Sequence, residues 1–436
     1  MRTLKRLLLA GGAAAALLAG CGGGDVSPNA GEVRLVNATG EFGQLTLYES
    51  SDRLSDPVDP FGAGSYEDLD KGAYDFSVRG GVAGATIATL SATLKKGDPM
   101  TLVAYSNAGT PALAAIDETE DEPDRDFAKL RFFNTAANDS GAIDAYLIAP
   151  TASCADLGGG LAIATAVSDL QSTFIDIEPA LGPWRLCITA AGDRTDVRLS
   201  TDLAVGDREI VTVILSRTAG AVLLNAAVMV QEGDVTQAAN TSARVRLAVG
   251  VDSGTVTASF DTASESTSLG SMVAAPSVGA YRLVPTGGIL VVTWTGGTVT
   301  LPANSISGGG DYTVLVANAG GGSVATASLL SDDNARSTNA TKPVKARLVH
   351  GATNVSPISL SIGADFIGGV SPGAASSYIL TEASGATATK VEITVGGSIL
   401  CTGLATLSAT PTVYSVFALG ALPTTPIGPC VIRADR

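Results

Sequence analysis

Short alternating runs of apolar and polar residues, broken by glycine-rich turns, dominate the chain, and this period-two rhythm marks β-strands with one buried face. One run recurs four times, at intervals of roughly a hundred residues, as a repeat architecture would require. It reads Val33-Arg34-Leu35-Val36-Asn37, Leu130-Arg131-Phe132-Phe133-Asn134, Val245-Arg246-Leu247-Ala248-Val249 and Ala346-Arg347-Leu348-Val349-His350. An arginine stands between apolar neighbours each time. Because side chains alternate across a strand, the arginines face away from Leu35, Phe132, Leu247 and Leu348, and a solvated or cross-strand role is expected for them.

A second landmark lies mid-repeat, where glycine and a small residue or proline precede an aromatic that opens an alternating strand. Gly72-Ala73-Tyr74 leads into Phe76 and Val78, Gly182-Pro183-Trp184 into Leu186 and Ile188, and Gly279-Ala280-Tyr281 into Leu283. The fourth copy lacks the aromatic, although Val391, Ile393 and Val395 still alternate with Glu392 and Thr394. Tyr74, Trp184 and Tyr281 each begin the apolar side of their strand, so packing in a core is expected rather than a platform for glycan stacking. Apolar strands are predicted late in each copy, over 101–105, 210–215, 312–316 and 414–419. Polar stretches at 117–126, 231–243 and 331–343 read as interdomain linkers. Sustained helical periodicity is absent, and 161–167 reads as strand or loop.

The expected architecture is therefore all-β: four tandem immunoglobulin-like β-sandwich domains over 32–117, 129–232, 243–331 and 344–436. They follow a signal peptide and a flexible tether. Arg2, Lys5 and Arg6 precede a small apolar run over 7–17, and Leu18-Ala19-Gly20-Cys21 then has the form of a lipobox. Residues 1–20 are expected to be removed and Cys21 to be lipidated. The apolar run is only about half the roughly 20 residues that a membrane-spanning helix needs. Residues 21–31 form a glycine-, serine- and proline-containing tether that lets the folded part stand off the membrane.

Composition narrows the partners. The chain has 436 residues and a formal net charge of −15, and loss of residues 1–20 makes it more acidic still. That balance repels nucleic acid and anionic lipid. A hydrophobic content of 45% with 16% charged residues points to folded, core-forming domains rather than disorder. Of five cysteines, Cys21 is assigned to lipid, which leaves Cys154 with Cys187 and Cys401 with Cys430 as two disulfides of an exported protein. No Cys-x-x-Cys spacing supports a redox or metal pair.

The repeats resemble a bacterial family catalogued as domain of unknown function 4397, found in exported and lipid-anchored envelope proteins. The resemblance rests on the strands around Arg34, Arg131, Arg246 and Arg347, on the Gly-x-aromatic strands at Tyr74, Trp184 and Tyr281, and on the late strands at 312–316 and 414–419. It spans most of residues 32–436, and the third copy departs from it by carrying Val249 where the others have Asn or His. It implies immunoglobulin-like modules and an envelope location, and it assigns no chemistry.

Candidate chemistry is sparse. His350 is the only histidine and occupies the slot of Asn37 and Asn134, so hydrogen bonding at a strand end is expected of it. No nucleophile elbow, zinc helix, phosphate loop or dinucleotide fingerprint occurs. Asp117, Glu118, Glu120, Asp121, Glu122, Asp124 and Asp126 concentrate acids at one junction, a weak candidate for calcium without the loop such sites use. No cofactor is expected. The resulting reading is a non-enzymatic lipoprotein of the outer membrane that serves as spacer, adhesion or interaction module, its partners the membrane through lipid and an envelope protein or glycan. Two alternatives stay open: a polysaccharide-processing or hydrolytic accessory with one cryptic carboxylate site, and a self-assembling surface or matrix component.

Overall fold

The computed structural model describes residues 29–81, 84–158, 160–168, 170–251, 254–302, 304–318, 325–353, 355–421 and 431–436. The segment read as signal peptide, Cys21 and Cys430 lie outside the described residues. The first strand begins at Ala30, two residues inside the stretch read as tether.

Each copy of the pattern folds into two sheets with a core between them. In the first copy one sheet runs, in spatial order, Glu67–Asp70, Ala30–Asn37, Pro99–Asn107 and Thr110–Asp117. The other runs Asp52–Arg53, Leu45–Glu49, Gly72–Gly80 and Thr86–Leu94. Val33, Leu35 and Leu102 of the first sheet meet Leu45, Leu47, Phe76 and Val78 of the second, all fully buried. At about 1.5–3 kcal/mol for each large apolar side chain withdrawn from water, such a layer drives the closure of a unit this small. The same arrangement recurs three more times, so the four tandem sandwiches expected from the sequence are present. Helix is confined, among the described residues, to Ala137–Ser140 and a 3-10 turn at Pro179–Leu181. Residues 164–167 are strand, and the stretch at 231–243 contributes a further short one, Val235–Ala238, to the second sandwich.

The opening and late strands of every unit pair in parallel: Ala30–Asn37 with Pro99–Asn107, Ala128–Asn134 with Ile210–Arg217, Ser242–Gly250 with Asp311–Asn318, and Val344–Thr353 with Thr412–Ala421. The register sets Arg34 opposite Thr101, Arg131 opposite Thr212, Arg246 opposite Thr313, and Arg347 opposite Ser415. One face of these strands sends Leu35, Phe132, Leu247 and Leu348 into the unit's own core.

The other face is covered as well. Val36, Val103 and Ile116 of the first sandwich pack against Phe133, Ile214 and Met229 of the second. Ala248, Leu315 and Ala317 of the third pack against Val349, Phe417 and Leu419 of the fourth. The sandwiches are thus joined in two pairs, each through the sheet that holds the opening strand, called the inner sheet below. Of the solvated or cross-strand role expected for the arginines, the solvated alternative fails and the cross-strand one holds. Arg34, Arg131, Arg246 and Arg347 are 4%, 8%, 2% and 1% exposed, because the face they share with Val36, Phe133, Ala248 and Val349 lies under a neighbouring domain.

The mid-repeat landmark also needs correction in the third copy. Tyr74 and Trp184 do open strands of the outer sheets, Gly72–Gly80 and Trp184–Ala190, and pack against their own cores. Tyr281 instead precedes Arg282–Pro285, an inner-sheet edge strand in which Leu283 is exposed and Val284 is buried. The third-copy equivalent of the outer strand is Ile289–Trp294, which opens without an aromatic. A shared Gly-Ala-Tyr string hid this one-strand offset.

The outer sheet of the second sandwich carries the Cys154–Cys187 disulfide, with Cα atoms 5.6 Å apart and a sequence separation of 33. It pins a loop, through Leu157 and Tyr146, onto the face turned away from the core. A loop of that length is stabilised by roughly 3–4 kcal/mol in the chain-entropy account. Cys154→Ser should therefore lower stability by about that amount, and reductant should destabilise the parent protein but leave the variant unchanged in denaturant unfolding. For the pair Cys401 and Cys430, the second residue is not among those described.

Candidate functional site between paired sandwiches

The arginine of each opening strand stands at a domain contact, and its surroundings are built the same way four times. Its Nε donates to the hydroxyl directly across the parallel pair: Arg34 to Thr101 at 2.8 Å, Arg131 to Thr212 at 2.9 Å, Arg246 to Thr313 at 2.8 Å, and Arg347 to Ser415 at 3.0 Å. An aromatic from the neighbouring edge of the sheet lies against each guanidinium. The ring centroids of Tyr66, Phe174, Tyr281 and Tyr378 are 4.4, 4.4, 4.5 and 5.0 Å from the respective guanidinium carbons, inside cation–π range. The outer guanidinium nitrogens reach into the partner sandwich. Arg34 Nη1 donates to the Gly233 carbonyl at 2.6 Å, and Arg131 Nη2 to the Asp117 carbonyl at 3.1 Å. Arg246 Nη1 pairs with Asp435, and Arg347 Nη2 pairs with Asp332.

In three of the four units a buried acid at the end of a late strand meets this charge. Asp332, with none of its side chain exposed, accepts from Thr313 Oγ1 and Tyr281 Oη at 2.6 Å each, besides pairing with Arg347. Asp435 accepts from Ser415 Oγ at 2.5 Å. Glu118, 1% exposed, takes Arg34 Nη2 at 3.1 Å, Tyr66 Oη at 2.8 Å and the Glu232 backbone N–H of the second sandwich at 2.8 Å. The equivalent position in the second copy is Gln231, whose amide donates to the Glu120 carbonyl at 2.9 Å.

Electrostatics hold the phenols and Arg246 of these clusters in one protonation state. Burial, reinforced by Glu118 at Tyr66 and by Asp332 at Tyr281 and Tyr378, pushes all three phenols well above their usual range, so they remain neutral; Tyr66 and Tyr281 donate to those acids, while Tyr378 Oη makes no hydrogen bond among the described residues. Burial opposes the Arg246 charge, but Tyr281, Asp435 and Asp332 more than offset this and hold it protonated. Burial also pushes the Asp311 carboxyl up to about 6, and Asn334 links it to the third-copy clamp by donating to Asp311 at 2.6 Å and to Tyr281 Oη at 3.3 Å. What the clamps can do is fix the angle and register of two sandwiches.

The other residues singled out in the sequence are dispersed. Of the acidic run, Glu118 belongs to the clamp, Glu120 pairs with Lys129, and Glu122 with Arg208 at 2.8 Å. Asp117 accepts from the Thr119 backbone N–H at 3.0 Å, and the Asp126 N–H donates to Asp207 at 2.8 Å. No such turn or pairing involving the Asp121 or Asp124 carboxylate bears on the clamp. Among the described residues no three His, Cys, Asp or Glu side chains converge to hold a metal. Nor is any helix long and apolar enough to cross a membrane among the described residues.

His350 is fully buried beside the fourth core. Its Nδ1 accepts from the Ala352 N–H at 3.3 Å, which leaves Nε2 to donate to the Ser356 carbonyl, also at 3.3 Å. Asn37 and Asn134 do the same with their amides, toward Val58 and Val167 carbonyls at 3.2 and 2.9 Å. Burial lowers the His350 pKa below the free value of 6.5. A His that is harder to protonate when folded stabilises the protein above pH about 6.5 and loses that contribution as pH falls. His350→Ala should cost about 1–3 kcal/mol at pH 7.5 by orphaning its partners. In His350→Asn most stability should be kept, and the extra loss between pH 7.5 and 5 seen in the parent should disappear from paired unfolding curves.

The arginine clamps were missed in the sequence, although a signal was there. Leu35-Val36, Phe132-Phe133 and Leu348-Val349 are adjacent apolar pairs, and a strand that is apolar on both faces is covered on both.

Among curated proteins none matches this chain. Of solved structures, it is similar to a family 41 carbohydrate-binding module from streptococcal virulence factors, studied for alpha-glucan recognition, at 11% identity over 42% of this chain and 93% of that one, with a TM-score of 0.18. It is similar to CBMbc, a family CBM26 module of Eubacterium rectale Amy13K in complex with maltoheptaose, at 11% identity over 47% and 95%, TM-score 0.15. The Bacillus anthracis TIE protein matches at 7% identity over 63% and 49%, TM-score 0.14. Residues 31–146, from the opening strand of the first sandwich into the second, match the family model described as "Domain of unknown function (DUF4397)", and the chain therefore carries a DUF4397-like domain.

Proposed function

We propose that the protein is a lipid-anchored envelope protein, held on the outer membrane through Cys21, that works as a stiff, non-catalytic spacer presenting interaction surfaces to an envelope protein or glycan. The observation carrying this reading is the pairwise burial of the inner sheets with their arginine clamps. Two sandwiches that share a dry, charge-locked contact move as one body, and they leave the outer sheets and end loops to meet partners. The anchor is supported by the Leu18-Ala19-Gly20-Cys21 string.

Metabolic labelling with radioactive palmitate tests the anchor. The parent protein should carry label in the outer-membrane fraction, and Cys21→Ala should carry none; label retained by the variant overturns it. Small-angle scattering of the same protein in detergent tests the spacer. One rigid arrangement should fit the curves at both low and high salt, whereas a broad distribution of interdomain distances rules the spacer out. A glycan array and a pull-down from envelope fractions then separate the two partner classes.

A further inference from the structure

A second group of arginines gathers where all four sandwiches come near one another, and it is not charge-balanced. Arg198 pairs with Asp196 at 2.6 Å, Arg217 with Glu41 and Asp139, and Arg244 with Asp311 at 3.1 Å. Arg336, from the segment between the third and fourth sandwiches, makes no ion pair among the described residues, and neither does Arg436. Among the described residues the Arg436 side chain makes one hydrogen bond, from Nη1 to the Ala221 carbonyl at 2.8 Å. Buried nitrogens without any partner include Arg336 Nε, Arg436 Nε and Nη2, Arg217 Nε and Arg244 Nη2. Burial and then the repulsion of Arg198 press the Arg336 charge down, while burial followed by Arg336 and Arg198 does the same at Arg436.

Unpaired guanidinium groups gathered in a half-buried place are costly, since each loses part of its hydration and repels the next. Their forked donors fit the oxygens of phosphate, sulfate or carboxylate. The site is reachable. Arg336 lines a groove of about 720 Å³ together with Asn107, Thr110, Asn138, Thr338 and Asn339, side chains suited to hydroxyl groups beside an anion. Asp139, fully buried behind this groove, is engaged by Arg217 Nη1 at 2.9 Å and by the Ala108 N–H at 3.0 Å; its charge also acts on Arg336 and Arg436, but burial and the neighbouring arginines outweigh it at both.

We propose that the groove at the four-domain junction is an oxyanion site, in which Arg336 contacts the anion directly with Arg436 behind it, and the surrounding amide and hydroxyl side chains bind a polyhydroxylated body attached to that anion. The shared chemistry is an oxyanion; it comes either free in solution or as an acidic group on a glycan. In a chain of net charge −15, a local excess of arginine also gives an anion one place to go.

The full chain in detergent is titrated calorimetrically, and melted, with sodium phosphate, sodium sulfate and a uronic-acid oligosaccharide, each against sodium chloride at matched ionic strength. At least one oxyanion should bind saturably and raise the melting temperature beyond chloride. Arg336→Gln should weaken that binding about 10- to 100-fold, the worth of a charge-assisted contact. Without anion the same variant should melt no lower than the parent, because Arg336 is half-buried among like charges and has no ion pair to lose among the described residues. Tighter binding of the oligosaccharide than of both inorganic ions identifies a glycan site; the reverse order identifies a free-anion site. The proposal falls if none of the probes outperforms chloride, or if Arg336→Gln binds them as the parent does. A variant that melts lower without anion also overturns it, since Arg336 would then be stabilising on its own.

Discussion

Asp332→Ala is expected to be among the most damaging single substitutions in the protein, at about 3–5 kcal/mol, because it leaves the buried Arg347 guanidinium without its carboxylate and takes a second acid from beside Arg246, which keeps only Asp435. Asp332 pairs with Arg347, lies 3.8 Å from Arg246, and accepts from Thr313 and Tyr281. At about 2–4 °C per kcal/mol for a unit of this size, the melting transition of the third and fourth sandwiches should fall by roughly 6–20 °C. The first and second should be untouched, so calorimetry should split into two transitions. Asp332→Asn keeps acceptor and shape but not charge, and should fall between. A loss below about 1 kcal/mol for the alanine variant would mean that the charges were never desolvated in the way the burial implies.

Phe133→Ala should act on the other pair. Phe133 is 2% exposed and sits with Val36, Val103, Ile214 and Met229 in the contact between the first two sandwiches, whereas Phe132, its neighbour, belongs to the second sandwich's own core. Removing a buried phenyl ring costs about 3–5 kcal/mol through lost transfer energy and the cavity left behind. That cost should appear as loosening of the pair rather than melting of either member. Scattering should show a larger radius of gyration while circular dichroism keeps its strand signal. Phe132→Ala, by contrast, should lower the strand signal's melting temperature directly. If the two variants behaved alike, the division between core face and contact face would be mistaken.

Strand positions were legible in the sequence because period-two alternation is a local property, and the opening and late strands of all four copies carry it in their own residues. The fate of the arginines was not, because burial by another domain is a long-range fact. It depends on which sheets meet, and Arg34 has the same sequence neighbours whether water or Gly233 lies beyond it. Adjacent apolar pairs such as Leu35-Val36 held the information, but an edge residue partly covered by its own loops gives the same pattern. Tyr281 failed for a different reason. Its Gly-Ala-Tyr string copies Gly72-Ala73-Tyr74 letter for letter, yet one marks an inner edge strand and the other an outer central one, and only pairing partners tell them apart. The acidic run was legible as charge but not as geometry, since successive carboxylates such as Glu118 and Glu120 were drawn to cations on different strands.

Sandwiches that keep one face dry only by leaning on another are inherited two at a time. A gene duplication that inserted a single extra copy would leave a strip like Arg34 and Val36 uncovered, and that strip would seek its match on a second molecule. Odd-numbered relatives of this chain should therefore be found as dimers, while even-numbered ones, such as the four-sandwich array here, can live alone.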